Sequence, residues 1–240
     1  MFKKVPNSIL QFTQLTKIDL SFNQIKSLGA LKSHPTLKYI DIQNNNVRRL
    51  VFDHYENALN LTHLDITDNY IDAPVDSTQT FLYSFPSVYN QKNPTLIVPY
   101  LFLGAVNATK DPAFLKTIGI AAILSLGKKP FVESDIQNLF IPIDDSPSTD
   151  LLKIVRECIT FINDFVIKKK GVLVHCEFGI SRSASVIIAY LMKKNKMTYK
   201  EALKFVTNKR MCVLPNKGFE TQLGQFEKEQ FIFTEIKKKK

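Results

Sequence analysis

The chain has 240 residues, 45% of them apolar and 22% charged, a composition that excludes a fibrous or wholly disordered protein and allows one large domain or two small ones. Thirty-two Lys and Arg against 22 Asp and Glu give a net charge of +10, which points to an acidic partner such as nucleic acid, an anionic membrane or a phosphorylated substrate. Three cysteines, Cys158, Cys176 and Cys212, are too few for a disulfide framework, and no tight Cys/His spacing offers a metal site.

The N-terminus lacks the apolar core and small-residue cleavage site of a signal peptide, and no stretch of about 18 uncharged apolar residues follows. A soluble protein in a reducing, cytoplasmic or nuclear setting is expected. Three segments then repeat one pattern: Leu15-x-x-Ile18-x-Leu20-x-x-Asn23-x-Ile25, Leu37-x-x-Ile40-x-Ile42-x-x-Asn45-x-Val47 and Leu61-x-x-Leu64-x-Ile66-x-x-Asn69-x-Ile71, their Asn residues 22 and 24 apart. Each predicts a short strand closed by an Asn that satisfies backbone groups at a sharp turn. The pattern resembles a leucine-rich repeat, a short solenoid that needs neighbours to bury its core. Residues 73–94, rich in Ser, Pro, Thr and Asn, lose the pattern and read as a cap and linker carrying Phe81, Tyr83, Phe85 and Tyr89.

From Thr95 the grammar changes. Apolar runs at 96–98, 120–126, 139–143 and 172–174 predict buried strands. Asp111-Pro112 reads as an N-cap and first-turn proline, 151–166 as an amphipathic helix with Leu152, Val155, Ile159 and Ile162 on one face, and Thr198-x-x-Glu201 as a capping box. Asn216 is the expected cap of a last helix. Alternating strands and helices predict an α/β domain over 95–240, with a central mixed sheet flanked by helices, after repeats at 1–72.

The chemistry concentrates in Val172-Leu-Val-His175-Cys176-Glu177-Phe178-Gly179-Ile180-Ser181-Arg182-Ser183. A buried strand ends at a cysteine, a short loop follows, and a helix begins near Arg182. Backbone N–H groups of such a loop converge on one anion, and the helix N-terminus adds positive potential that also favours a thiolate. The planar fork of Arg182 suits two phosphate oxygens. Cys158, on an apolar helix face, and Cys212 read as buried small hydrophobes.

His175-Cys176-x-x-Gly179-x-Ser181-Arg182-Ser183, with Ile141-Pro-Ile-Asp-Asp145-Ser-Pro upstream and Leu214-Pro-Asn-Lys-Gly-Phe219 downstream, resembles the dual-specificity subgroup of the cysteine-dependent protein tyrosine phosphatases over about 95–231. With the repeats, the chain resembles a leucine-rich-repeat dual-specificity phosphatase. The resemblance implies that Cys176 is the nucleophile and forms a phosphocysteine. It makes Arg182 the phosphate clamp and Glu177, Phe178, Gly179, Ile180 and Ser181 the donors of backbone N–H groups. Asp145 then matches the general acid, with adjacent Asp144 and helix-capping Asp150 as alternatives. Ser183 matches the hydroxyl that eases thiolate departure, His175 a loop-orienting residue that supports the thiolate, and Asn216 a loop brace. No metal or organic cofactor is implied.

Phosphotyrosine and phosphoserine or phosphothreonine in proteins are the expected substrates, because nothing basic projects from Glu177, Phe178 and Ile180. Alternatives are a phosphoinositide, for which Lys209 and Arg210 would form a second basic patch, an RNA 5′-phosphate, or a phospho-ligand adaptor without turnover. Asp19, Asp41 and Asp65 are expected to stack on the strand face of the repeats, either as ordinary solvated positions or as a docking ladder for a basic protein partner. The tail from Lys237 to Lys240 reads as a solvated end, its alternative being contact with an anionic membrane. No nucleic-acid-binding motif appears. Split at Thr95, the charge is +1 before and +9 after, so the basic field lies with the phosphatase-like half.

Overall fold

The computed structural model describes residues 1–48, 61–71, 91–131, 135–210 and 212–238, with side chains in the last helix through 229. Two compact units, Met1–Asn93 and Pro94–Lys240, divide the chain. Most of the expected linker, including Phe81, Tyr83, Phe85 and Tyr89, lies outside the described residues.

In the first unit three short strands, β1 (Lys17–Asp19), β2 (Tyr39–Asp41) and β3 (His63–Asp65), form a parallel sheet in chain order. Their register aligns Ile18, Ile40 and Leu64 in one row, and the side chains of Ile40 and Leu64 are buried. Each repeat asparagine stitches one turn to the next. Asn45 Nδ2 donates to the Leu20 carbonyl at 2.9 Å and the Ile42 carbonyl at 3.0 Å, while its Oδ1 accepts from Ile25 N at 2.8 Å. Asn69 does the same for Ile42, Ile66 and Val47. Buried turns leave these groups no water to bond, which is why a short amide recurs at this position. The sequence pattern ends at 72, but one further rung follows: Gln91 Nε2 donates to the Ile66 carbonyl at 3.1 Å, so a glutamine 22 residues after Asn69 fills the asparagine place.

The expected acidic row is in register, Asp19 beside Asp41 beside Asp65, and each carboxylate also caps its own turn. They accept from the N–H groups of Ser21 at 2.9 Å, Gln43 at 3.0 Å and Thr67 at 2.9 Å, and Asp41 is buried. These residues act as turn caps at strand ends. In the neighbouring row the side chains contact one another. Tyr39 stacks on His63 with centroids 4.0 Å apart, and Lys17 Nζ sits 4.2 Å above the Tyr39 ring.

The second unit is built on β4 (Thr95–Val98), β5 (Leu101–Ala105), β6 (Ile120–Leu126), β7 (Gln137–Ile141) and β8 (Gly171–Cys176). Their order is β4-β5-β8-β6-β7, antiparallel between β4 and β5 and parallel elsewhere. Among the described residues five α-helices accompany it: α1 (Pro112–Thr117), α2 (Leu152–Val166), α3 (Arg182–Asn195), α4 (Tyr199–Lys209) and α5 (Lys217–Lys238). None of the described helices is long and apolar enough to cross a membrane. The Asp111 cap, the Thr198–Glu201 capping box and the Asn216 cap on Phe219 N at 2.9 Å all form as expected.

Two strand expectations change. β7 starts at Gln137 and ends at Ile141, two residues earlier than 139–143. The run after Val98 is also a separate strand, β5, folded back on β4 through Pro99-Tyr100, with Tyr100 at φ +69°. An apolar run uninterrupted by Gly or Asn hides such a reversal from a periodicity reading. β8 lies at the centre with all six residues buried, and α3 buries every residue from Ser183 to Met192. Because β8 is inserted between β5 and β6, which are consecutive in the chain, the crevice beyond their C-terminal ends is a topological switch point, where open α/β sheets take ligands.

Candidate active site

Parallel register brings the strand ends together: Ala105 lies beside Cys176 and Ser125 beside His175. Beyond Cys176 the chain turns over residues 177–181 and enters α3 at Arg182. Each carbonyl of that turn is held from outside. Glu177 O accepts from Val106 N at 3.1 Å, Ile180 O from Leu214 N at 3.0 Å, and Ser181 O from Ser185 N at 2.8 Å. Phe178 O and Gly179 O accept from Arg210, from Nη2 at 3.0 Å and Nε at 3.1 Å. In a planar trans peptide the N–H points opposite to the C=O, so outward carbonyls turn the N–H groups of residues 178–182 inward. Gly179 N shows the result, donating to Cys176 Sγ at 3.3 Å. The turn is a ready-made anion cradle with the sulfur at its floor. Gly179, at φ +69°, also allows close passage of β5, where a Cβ would press on the Gly104 carbonyl.

Cys176 is 2% exposed, and its Sγ takes a second hydrogen bond from Ser183 Oγ at 3.2 Å. Arg182 Nη1 donates to the Ile143 carbonyl at 3.4 Å, while Nε, buried, has no hydrogen-bond partner among the described residues. Nε is 3.6 Å from Asp145 Oδ2, an ion pair too long for a hydrogen bond. A buried donor with no hydrogen-bond partner, on the residue that opens α3, suits an incoming anion. Gly127, at φ +70°, makes room for this arrangement: a Cβ there would run into Arg182 Nη1 and the Ile143 carbonyl.

Asp145 sits on the loop after β7 and is tied to the cradle. Its Oδ1 accepts from Ser181 Oγ at 2.7 Å and Asn216 Nδ2 at 2.8 Å. Asp144 has no such tether among the described residues, and Asp150 caps α2 through Lys153 N at 3.1 Å. The acid loop is further anchored to α5. Gln222 Oε1 accepts from Leu151 N at 2.7 Å and Nε2 donates to Thr149 O at 2.8 Å, while a Cβ at Gly218 would strike the Pro147 carbonyl. Asn216 is thus both helix cap and brace.

His175 is fully buried, with Nε2 2.8 Å from Ser125 Oγ and Nδ1 3.1 Å from the Cys176 carbonyl. A carbonyl only accepts, so Nδ1 carries the hydrogen. Burial lowers this imidazole to about 4, so the ring is neutral. The ring contacts the Cys176 carbonyl and so helps orient the residue from which the loop starts. The pH consequence has a definite sign. Between about 6.5 and about 4 the unfolded chain binds the imidazole proton and the folded chain does not, so stability falls as pH drops through that window and is unaffected above it. The full loss is about 3 kcal/mol. Thermal melts of wild type and His175→Gln between pH 7 and 4 check this: the difference between them shrinks on acidification, and parallel profiles would refute the assignment.

Other expectations also change. Arg210 is 5% exposed and committed to loop carbonyls, so it forms no surface patch with Lys209. Cys158 is fully buried, its thiol pushed up to about 12 by burial; burial also pushes up the Cys212 thiol. No group of three or more His, Cys, Asp or Glu among the described residues could hold a metal ion. The sequence reading missed Arg210 and Gly127. A Lys-Arg pair after a helix looks like surface, and a lone Gly after a strand has many uses.

The family profile of the dual specificity phosphatase catalytic domain matches residues 101–229, and that of leucine rich repeats (2 copies) matches residues 13–57. Human dual specificity protein phosphatase 5 is 38% identical over 149 residues, covering 61% of this chain and 38% of that protein. The chain therefore spans well under half the length of that relative. Among solved structures, human tyrosine phosphatase-like serine/threonine/tyrosine-interacting protein aligns with a TM-score of 0.55 at 31% identity, over 57% of this chain and 97% of that one. A leucine rich repeat and phosphatase domain containing protein from Entamoeba histolytica aligns with a TM-score of 0.54 at 25% identity, over 59% of this chain and 95% of that one.

Proposed function

The chain belongs to the dual specificity phosphatases, and from that membership we propose that it hydrolyses phosphotyrosine and phosphoserine or phosphothreonine in proteins through a phosphocysteine, its repeats serving as a protein-docking module. One observation carries the reading: the Cys176 sulfur lies at the floor of a turn whose carbonyls are held outward, and Arg182, the first residue of the helix that follows, keeps a buried Nε without a hydrogen-bond partner among the described residues. A phosphate dianion seated there meets backbone donors and a guanidinium, which stabilise charge on the transferring phosphoryl group.

In the first step the Cys176 thiolate forms the S–P bond as the P–O bond to the substrate breaks, and Asp145 gives its proton to the leaving oxygen. In the second, water gives a proton to the Asp145 carboxylate and its oxygen attacks phosphorus. The S–P bond then breaks, releasing inorganic phosphate and restoring the thiolate. Ser183 Oγ, hydrogen-bonded to Sγ, stabilises the departing thiolate.

Protein substrates are favoured over lipid because the loop presents Glu177, Phe178 and Ile180, and the nearby Lys128 is paired with Glu177 at 3.7 Å. A panel of phosphotyrosine, phosphoserine and phosphothreonine peptides, a phosphoinositide and an RNA 5′-phosphate tests this. The peptides are expected to turn over fastest. Preference for either nonprotein class overturns the substrate, and phosphate binding without any turnover identifies an adaptor.

A further inference from the structure

We propose that Arg210 is a positioning residue for the phosphate cradle, an inference that rests on the reading of residues 177–182 as that cradle. Without a side chain, Gly179 resists rotation of its two flanking peptide planes least of any residue in the turn, yet those planes must stay fixed for Gly179 N and Ile180 N to face the anion. They are the two that Arg210 holds, by Nη2 on Phe178 O and Nε on Gly179 O. A planar guanidinium offers parallel donors to two successive carbonyls, which the point charge of a lysine does not.

Arg210 is itself fixed. It follows α4, where its N–H bonds the Val206 carbonyl at 2.9 Å. Nη1 reaches Thr95 Oγ1 on β4 at 3.3 Å, and the side chain is buried. The clamp therefore transmits the position of α4 and β4 to two N–H donors without touching the substrate. Arg182 and Arg210 divide the work, the first presenting a donor to the anion and the second keeping the backbone donors aimed.

The test uses the full chain and two readouts. In a Cys176→Ser background, which removes turnover, affinity for inorganic phosphate measured by calorimetry is expected to fall about 10-fold on adding Arg210→Met, because donors in the cradle lose their aim. In the active enzyme, Arg210→Met is expected to lower kcat/KM for a small aryl phosphate about 30-fold, less than the 10²–10³ lost when an oxyanion donor is deleted outright, with KM raised. A merely structural role would reduce the folded fraction, lowering apparent kcat with KM and phosphate affinity unchanged. That result overturns the proposal. Arg210→Lys, reaching one carbonyl at a time, is expected to fall between wild type and Arg210→Met, and free guanidinium is expected to restore part of the phosphate affinity of Arg210→Ala. If Arg210→Met does not fold, Arg210→Lys decides, and wild-type phosphate affinity there refutes the clamp. A wild-type protein that binds phosphate but turns over no aryl phosphate would defeat the enzymatic reading, while phosphate affinity would still judge Arg210.

Discussion

Cys176→Ser is expected to lower turnover of a small aryl phosphate by at least about 10⁴-fold, in line with removal of the nucleophile from other covalent hydrolases. The sulfur is almost wholly buried, and two donors, Gly179 N and Ser183 Oγ, point at it. A hydroxyl in that place keeps both hydrogen bonds but does not ionise at neutral pH, so no competent nucleophile remains. The cradle itself is backbone, held by Val106, Arg210, Leu214 and Ser185, so Cys176→Ser is expected to keep its affinity for inorganic phosphate. Rapid quenching of the wild type should trap phosphate bound covalently to the protein, and Cys176→Ser should trap none. Cys158→Ala serves as the control, since that thiol is pushed up to about 12 by burial in the core and forms no thiolate at neutral pH. Wild-type turnover in Cys176→Ser would move the chemistry elsewhere.

The second large effect belongs to Asp145→Asn, expected to slow hydrolysis of a phosphoserine peptide by about 10²–10⁴, the range of general acid catalysis, and a good aryl leaving group much less. Asparagine retains an oxygen to accept from Ser181 Oγ and Asn216 Nδ2, the two tethers of Asp145, so position is kept while the transferable proton is lost. Asp144→Asn, lacking those tethers among the described residues, is expected to stay within about twofold of wild type. Steady-state kinetics across leaving groups separates the two residues. Equal losses in both variants would overturn the assignment.

Much of this site is legible in the sequence because its parts are contiguous. His175 to Ser183 sit on one strand, one turn and the first residues of one helix, so spacing alone puts the cysteine, the loop donors and the arginine within reach of a single anion. The repeat asparagines are legible for a similar reason, since each serves backbone groups within its own turn or the adjacent one. Gln91 escaped because glutamine is one methylene longer and nothing of the repeat pattern surrounds it, yet its amide reaches the same kind of carbonyl. The acidic row was legible as a row. Its use was not, because Ser21, Gln43 and Thr67 offer ordinary backbone N–H groups that any sequence has.

The sequence by itself therefore determined the two kinds of grammar, the strand-turn-helix segment that carries Cys176 and Arg182, the helix caps and the segregation of positive charge after residue 95. These rest on local rules, in which periodicity, capping and loop length act over a few residues. Only the tertiary structure decided the rest. It placed Asp145, rather than Asp144 or Asp150, against Ser181 and Asn216, and made His175 neutral by burying it beside Ser125. It also turned Arg210 from an apparent surface cation into the holder of two peptide planes. Each of these depends on contacts between residues about 30 to 70 positions apart, where direction and burial set the chemistry, and neither can be read from residue type or spacing.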